Sequence, residues 1–256
     1  MNLGFIGSGE ITKAVITGIL NSKIKFNKIY ISKRNTVISN YLSKKSRKII
    51  IIENNQEIIN KSNWIFLGIT PIVGKKILKE LKFKKTQKVI SFISTIKMKE
   101  LKKYIGINIE IIRAIPLPPI ALGVGPIPIY PPSKKIKIFF DKIGKTIEIK
   151  DEQMSLNFWT MSSMMAPFYE MLNFLSFWLI KKGLNKNEAE TYVTSLFLGL
   201  SKNAYQNNYR NLKELINKSQ TPRGLNEQAL KELKRNNFYK KLNITSNKIL
   251  KRLKGK

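Results

Sequence analysis

A glycine-rich turn near the start of the chain constrains its fold more than any other feature. An apolar run at residues 3–6 predicts a strand, and apolar periodicity from Ile11 to Leu20 predicts a helix directly after the glycines. Gly7 permits a tight turn, Gly9 lets a pyrophosphate approach the backbone, and Thr12 lies where a small residue lets helix pack on strand. Free N–H groups at such a helix N-terminus bind phosphate. The sequence therefore predicts a βαβ beginning, with a dinucleotide held at Gly7, Ser8, Gly9, Glu10 and Ile11.

The end of the second predicted strand carries basic and polar residues instead of an acid. That strand spans Lys28 to Ile31, and Ser32, Lys33, Arg34 and Asn35 follow it. A cofactor with a free ribose 2′-hydroxyl usually meets Asp or Glu here, whereas a 2′-phosphate needs donors and positive charge. The pattern favours NADPH over NADH, with Ser32, Arg34 and Asn35 around the phosphate. The alternative is a solvated basic turn in a lysine-rich chain.

Strand and helix patterns alternate through the rest of residues 1–150. Strands are predicted at 48–52, 64–69, 89–93 and 109–113, with helical segments between them. This alternation predicts an α/β fold with a doubly wound parallel sheet, which binds ligands at the carboxyl ends of its strands. The further candidate cofactor contacts at that edge are Ile69, Thr70, Pro71, Ser94, Thr95 and Ala114.

Residues 151–256 change to long helical patterns and predict a second, all-helical domain. Helices are expected at 151–182, 186–208 and 211–218, with one or two more between 226 and 254. The first of them is apolar around most of its circumference, which is more than a lone helical domain of this size can bury. We therefore expect a helical homodimer interface.

Composition limits the chemistry that the chain can perform. Cysteine and histidine are both absent, which excludes thiol nucleophiles, His-dependent acid–base catalysis and the usual zinc sites, so no metal is expected. The formal charge is +31, but only seven of the 47 basic residues are arginine. Because surfaces that recognise nucleic acid favour arginine, we attribute the charge mainly to AT-biased coding and expect no specific nucleic-acid partner. The alternative is polyanion binding driven by the charge itself.

Two uncharged stretches bear on membrane insertion. Residues 114–132 carry seven prolines and cannot form a continuous helix. Residues 153–180 contain Glu170 as their only charge, and their Asn, Ser and Thr residues fit a buried helix better than a membrane span. With a strand at residues 3–6 and no basic segment before it, we expect no secretory signal and a cytoplasmic location.

The order of these segments resembles that of the pyrroline-5-carboxylate reductase family. The likeness extends over nearly the whole chain and lies in GFIGSG (4–9), SKRN (32–35), IFLGITP (65–71), ISFISTI (90–96), RAIPLPP (113–119), PFY (167–169) and TPRGLN (221–226). The resemblance implies a Rossmann domain followed by a helical dimerisation domain, with active sites between the domains at the dimer interface. It also implies that NADPH reduces a cyclic imino acid to L-proline.

The substrate loop implied by the resemblance departs from the family pattern. Family members read Ser-Pro-Gly-Gly-Thr-Thr, whose hydroxyls and helix N–H groups hold the substrate carboxylate. The resemblance places carboxylate binding at Thr221, Arg223, Gly224 and Asn226, with Thr221 and Asn226 as the catalytic candidates. Either the Arg223 fork binds a related acid, or its bulk at a glycine position fills the pocket and the site has decayed. A third interpretation is that Thr221 only caps the helix that resumes at Leu225.

Other departures leave the substrate open. Family members have Lys where this chain has Thr70, Asn where it has Leu117, and a Ser-Gly-Ser-Gly turn where it has residues 163–166. The first hypothesis is an NADPH-dependent reductase of pyrroline-5-carboxylate. The alternatives are a related reductase of another imino or oxo acid and a non-catalytic protein that binds NADPH.

Overall fold

The computed structural model describes residues 1–206 and 211–255 of the chain. It contains two compact units, Met1–Trp159 and the residues from Thr160 onward. The first unit is a sheet covered by helices, and the second is helical. Within the described ranges, no helix has the length and apolar character needed to cross a membrane.

The first unit is built on one eight-stranded sheet. Its strands are β1 (Leu3–Ile6), β2 (Ile29–Ser32), β3 (Ile49–Ile52), β4 (Trp64–Leu67), β5 (Lys88–Ser91), β6 (Glu110–Ala114), β7 (Pro126–Tyr130) and β8 (Lys145–Glu148). The spatial order is β3-β2-β1-β4-β5-β6-β7-β8, and only β6 and β7 pair antiparallel. The predicted doubly wound sheet is confirmed, and it continues into two strands that the sequence pattern did not show. The reason is visible in β7, where two prolines interrupt the strand signal.

Helices lie on both faces of the sheet, and all but the last of them connect consecutive strands. They are α1 (Glu10–Leu20), α2 (Thr36–Lys45), α3 (Asn55–Lys61), α4 (Pro71–Ile77), α5 (Met98–Ile105), α6 (Lys134–Phe140) and α7 (Glu152–Ser162), with a 3₁₀ helix at Pro118–Leu122. Asn35 caps α2 by accepting a hydrogen bond of 3.1 Å from the N–H of Ile38. The cap fixes the point at which the chain leaves β2, and therefore fixes the backbone of the basic turn.

Apolar side chains fill both faces of the sheet and hold its strand ends in place. On one face the rings of Phe5 and Phe66 stack with their centroids 4.5 Å apart, and Phe139 of α6 packs 5.9 Å from Phe66. On the other face Leu67 and Leu101 belong to a second buried cluster. Parallel strands buried on both faces read as continuous apolar runs, as they do here.

Among its described residues, the second unit contains helices and no strands. The helices are α8 (Met165–Lys181), α9 (Lys186–Gln206), α10 (Leu212–Lys218), α11 (Leu225–Arg235) and α12 (Phe238–Leu253). The single helix predicted over 151–182 is wrong, because α7 ends at Ser162 and α8 begins at Met165. Pro167 lacks the N–H that a continuous helix would use, and its ring would clash with the carbonyl of residue 163. The helix predicted over 186–208 is described as far as Gln206, and Asn208 lies outside the described residues.

Helices α8 and α9 expose large apolar side chains. Phe174, Trp178 and Leu198 are 65%, 53% and 69% exposed. Such side chains on two helices that pack on each other are typical of a surface that another protein covers.

Candidate functional site

The turn between β1 and α1 uses its two glycines in different ways. Gly7 has a φ of +99°, and a Cβ added there would lie 2.2 Å from the carbonyl oxygen of Gly68. Only glycine fits both the conformation and the space. A Cβ added at Gly9 would meet nothing within 4 Å, because that residue borders the cleft above the sheet. Gly7 is therefore needed for the turn itself, whereas Gly9 keeps the approach to the backbone open.

Three hydroxyl groups hold this turn. The N–H of Gly7 donates to the buried Ser32 Oγ at 2.9 Å, and Thr12 Oγ1 donates to the carbonyl of Gly7 at 2.8 Å. The N–H of Asn35 donates to Ser8 Oγ at 2.8 Å. The ends of β1 and β2 are thereby joined, so the turn keeps its shape before any ligand arrives.

Thr12 and Gly68 form a matched pair beneath the turn. A Cβ added at Gly68 would lie 2.2 Å from Thr12 Oγ1, so the larger residue on the helix requires a glycine at the end of β4. The sequence predicts that Thr12 lies where a small residue lets helix pack on strand, but Gly68 had no predicted role. Its signal, a glycine directly after a buried strand, was present in the sequence.

A cleft of about 500 Å³ opens above the turn at the carboxyl ends of the strands. It is lined by Gly7, Ser8, Gly9, Arg34, Asn35, Thr36, Gly68, Ile69 and Thr70. The structure thus brings together most of the cofactor contacts predicted around β1, β2 and β4. Free N–H groups of the first turn of α1 and the guanidinium of Arg34 fit the negative charges of a dinucleotide phosphate.

A second pocket of about 430 Å³ adjoins this cleft and shares Gly7, Arg34, Thr36 and Ile69 with it. It also contains an acid that the sequence analysis missed, Glu53, which follows β3 and forms an ion pair with Lys33. The hydrogen bond and the charge of Lys33 lower the pKa of Glu53. Lys33 thus engages Glu53, whereas the exposed Arg34 lines both pockets, and its contact with a 2′-phosphate stays a prediction.

The remaining cofactor candidates follow β4, β5 and β6 at the same edge. Thr70 is exposed and precedes Pro71, the first residue of α4. Thr95 is exposed, Ser94 is half-buried and Ala114 is fully buried. Ser94 presents its carbonyl to Arg113, whose Nη2 lies 2.6 Å away. The exposed Glu10 and half-buried Ile11 begin α1 beside the cleft.

The predicted substrate loop lies in the second unit, between α10 and α11. Arg223 has a left-handed φ of +62°, a conformation that favours glycine. Its N–H donates to the carboxylate of Glu227 at 2.7 Å. Hydrogen bonds from Lys231 and from the N–H of Arg223 lower the pKa of Glu227, a residue the sequence analysis did not single out.

The other loop residues are exposed or half-buried. The Nδ2 group of Asn226 donates to the carbonyl of Ser219 at 2.9 Å, and the carbonyl of Thr221 accepts from the N–H of Gly224 at 2.8 Å. The residue that precedes α11 as its N-cap is Gly224, and it makes no side-chain cap. The interpretation that Thr221 caps this helix is therefore wrong, and no described side chain caps the first N–H groups of α11.

Two family models match the chain in separate segments. Residues 151–255 match the model described as pyrroline-5-carboxylate reductase dimerisation, and residues 2–95 match the model described as NADP oxidoreductase, coenzyme F420-dependent. Among curated proteins, the pyrroline-5-carboxylate reductase of Haemophilus influenzae is 24% identical over 80% of this chain and 79% of its own length. That of Arabidopsis thaliana is 27% identical, over 47% of this chain and 44% of its own length.

Solved structures share the fold over the full chain. A 1-pyrroline-5-carboxylate reductase from Streptococcus pyogenes superposes with a TM-score of 0.85 at 22% identity, covering 100% of this chain and 99% of that one. A pyrroline carboxylate reductase from Plasmodium falciparum with NADP bound gives 0.85 at 19% identity, covering 100% and 97%. The fold that this chain shares with these structures therefore includes both of its units.

Proposed function

We propose that this chain, which belongs to the pyrroline-5-carboxylate reductase family of NAD(P)-dependent oxidoreductases, reduces pyrroline-5-carboxylate to L-proline with NADPH. The observation that carries the proposal is a dinucleotide turn that opens onto Arg34, in a chain whose helical half matches the family's dimerisation domain. The proposed functional segments are residues 1–150 for the cofactor and 151–256 for the substrate and the subunit interface.

NADPH is the proposed cofactor because the pocket beyond the turn is electropositive. Arg34 faces both pockets, and the one acid lining them, Glu53, is paired with Lys33. An arginine fork holds a 2′-phosphate with charge-assisted hydrogen bonds, whereas NADH offers it only a hydroxyl. Ser32 shapes this site from below, since its oxygen already accepts the N–H of Gly7.

The chemistry needs little acid–base help from the protein. The bound cofactor supplies a hydride, and the carbon of a protonated cyclic imine accepts it. The strand ends at Ser94, Thr95 and Ala114 set the position of the cofactor's reactive end. The loop at Thr221 to Asn226 holds the substrate carboxylate. Orientation of this kind replaces a general acid, which agrees with a chain that has no histidine.

Arg223 is the central residue of the proposed carboxylate site. Its guanidinium is a rigid fork that matches a carboxylate, and the first turn of α11, which no side chain caps, offers N–H groups beside it. Thr221 and Asn226 are the proposed catalytic contacts of the substrate. Because the fork replaces a glycine, a second candidate is reduction of a related imino or oxo acid of different size.

The proposed assembly is a homodimer or an oligomer of dimers in the cytoplasm. The exposed apolar side chains of α8 and α9 provide the surface for it, and the segment matches a dimerisation domain. We propose no specific nucleic-acid partner and no metal for the reaction.

The test is the steady-state oxidation of NADPH by the purified chain with pyrroline-5-carboxylate, with NADH as the competing cofactor. Turnover that prefers NADPH and yields proline supports the proposal. A matched variant, Arg223→Gly, separates the alternatives. Loss of activity in this variant makes the fork part of the site, whereas gain of activity indicates that the native loop serves another acid. NADPH binding with no turnover by either protein refutes the reductase proposal.

A further inference from the structure

A buried arginine joins three segments at the reactive end of the proposed cofactor site. Arg113 is the fourth residue of β6 and is 4% exposed. Its Nη1 lies 2.5 Å from Glu152 Oε1, and its Nη2 lies 2.6 Å from the carbonyl oxygen of Ser94. Its Nε is buried and has no partner among the described residues. Nη1 also donates a longer hydrogen bond, of 3.5 Å, to Ser155 Oγ of the same helix as Glu152.

Glu152 extends the same contact to a third segment. It is the first residue of α7, and its Oε1 also accepts the N–H of Met98 at 2.7 Å. Met98 begins α5, which follows the loop that contains Ser94 and Thr95. One carboxylate oxygen thus connects the end of β6, the start of α5 and the start of α7.

This contact pair lies along the sheet from the pocket around Arg34 and Glu53, which is called the adenosine pocket because the 2′-phosphate is proposed to bind there. Strands β5 and β6 are two and three positions from β1 in the sheet. With neighbouring strands about 4.8 Å apart, the pair is about 10–14 Å from the glycine turn. Ala114 directly follows Arg113, and Ser94 accepts its hydrogen bond, so the pair holds the two backbone segments proposed to face the nicotinamide.

We infer that Arg113 and Glu152 are positioning residues that set the backbone at Ser94 and Ala114, and through it the angle at which the nicotinamide meets the substrate. The inference rests on the proposed function and deepens it. A buried ion pair often adds no more stability than apolar residues of the same volume would, so the role assigned to this pair is the geometry it imposes. Neither side chain touches the reacting atoms in this role.

The test compares Glu152→Gln and Arg113→Lys with a control on the same strands. Glu152→Gln keeps the shape and an acceptor for Met98 but removes the charge, and Arg113→Lys keeps the charge but loses the fork. The control is Glu110→Gln, because Glu110 pairs with Lys88 at the opposite ends of β5 and β6. It removes an ion pair from the same two strands without touching the carboxyl edge.

Three measurements distinguish a positioning role of the pair from a general loss of folding in the variants. They are kcat with saturating substrates, the Kd of 2′-phospho-ADP-ribose, which lacks nicotinamide, and the fluorescence anisotropy of bound NADPH, which reports nicotinamide mobility. In Glu152→Gln we expect kcat to fall about 10–100-fold, as a displacement near 1 Å can cause. The Kd of the fragment is expected to stay within about twofold, since the adenosine pocket is unchanged. The kcat of Arg113→Lys should lie between that of Glu152→Gln and that of the native chain. The kcat of Glu110→Gln should equal that of the native chain.

Two outcomes would overturn the inference. An unchanged kcat in both variants would exclude a positioning role, and a parallel loss of fragment binding would mean general unfolding. Should Glu152→Gln fail to fold, Glu152→Asp retains the charge while shortening its reach, and the same readouts apply. If the native chain binds NADPH but reduces no imine, the proposed function fails. The anisotropy comparison still decides the positioning role in that case.

Discussion

The pairing of Thr12 with Gly68 makes a quantitative prediction about folding. Gly68→Ala would place a Cβ 2.2 Å from Thr12 Oγ1, which no packed structure tolerates. The hydroxyl would have to rotate away and give up its 2.8 Å hydrogen bond to the buried carbonyl of Gly7. Loss of that bond costs about 1–3 kcal/mol, and the crowding adds about 1–3 kcal/mol, so we expect a total of about 2–6 kcal/mol.

The double variant, Thr12→Ala with Gly68→Ala, should remove most of the crowding. In Thr12→Ala the hydroxyl is gone, and the next atom from a Cβ at residue 68 is the Cβ of residue 12 at 3.6 Å, an ordinary contact distance. Thr12→Ala alone should cost about 1–2 kcal/mol for the lost hydrogen bond. Adding Gly68→Ala to it should cost almost nothing more. The coupling free energy between the two sites is therefore expected to be as large as the cost of Gly68→Ala alone, about 2–6 kcal/mol.

Urea unfolding of the four proteins of this cycle measures the coupling, and Gly9→Ala is the matched control in the same turn. A Cβ at Gly9 meets nothing within 4 Å, so its urea midpoint should stay near that of the native chain. Because Gly9 lines the cleft, the added methyl group of Gly9→Ala should weaken NADPH binding about tenfold, equivalent to about 1.4 kcal/mol. Additive free energies in the cycle, or a harmless Gly68→Ala, would refute the packing argument.

Three further predictions concern single side chains. Arg34→Ala should weaken NADPH binding about 10–100-fold, the value of a charged hydrogen-bonded contact, and leave NADH binding unchanged in a fluorescence titration; equal losses for both cofactors would contradict this. Arg223→Gly should raise the urea midpoint by relieving the φ of +62°, a strain of about 1 kcal/mol, and a lower midpoint would show that the conformation is not strained. Burial alone would raise the pKa of Asp141, but hydrogen bonds from Lys137 and Thr146 lower it on balance. Its stabilising contribution is therefore present above about pH 4 and lost as the pH falls below the folded pKa, so Asp141→Asn should flatten unfolding profiles measured between about pH 2 and 5.

Local pattern was enough to predict the first half of the fold. The buried parallel strands are short apolar runs, and the glycine turn has a fixed spacing, so β1 to β6 and the edge that binds ligands follow from neighbouring residues. The local sequence pattern could not predict contacts between segments that are distant along the chain. Glu53 reaches the pocket because β3 pairs beside β2, and Gly68 meets Thr12 because β4 pairs beside β1.

The second half shows a different limit. Apolar periodicity predicted the helices, but the periodic pattern continues through residues 163–164, which lie between α7 and α8. The break is explained by Pro167, which cannot belong to one continuous helix with α7. The left-handed backbone at Arg223 also carries no local signal, because the sequence puts a long side chain where glycine is usual. Such a residue is recognised only once the backbone of the loop is known.

The sheet order leaves β3 at one edge, and that strand consists of four consecutive isoleucines. A flat apolar edge with free backbone groups is a template on which another chain can add a strand and begin to aggregate. Charged neighbours counter this at both ends, Lys48 before the strand and Glu53 after it, and the +31 charge makes copies repel one another before their edges meet. At physiological ionic strength that repulsion fades over about 8 Å. The excess of lysine therefore opposes aggregation by electrostatic repulsion, and the salt concentration of the solvent determines how long the protein stays dispersed.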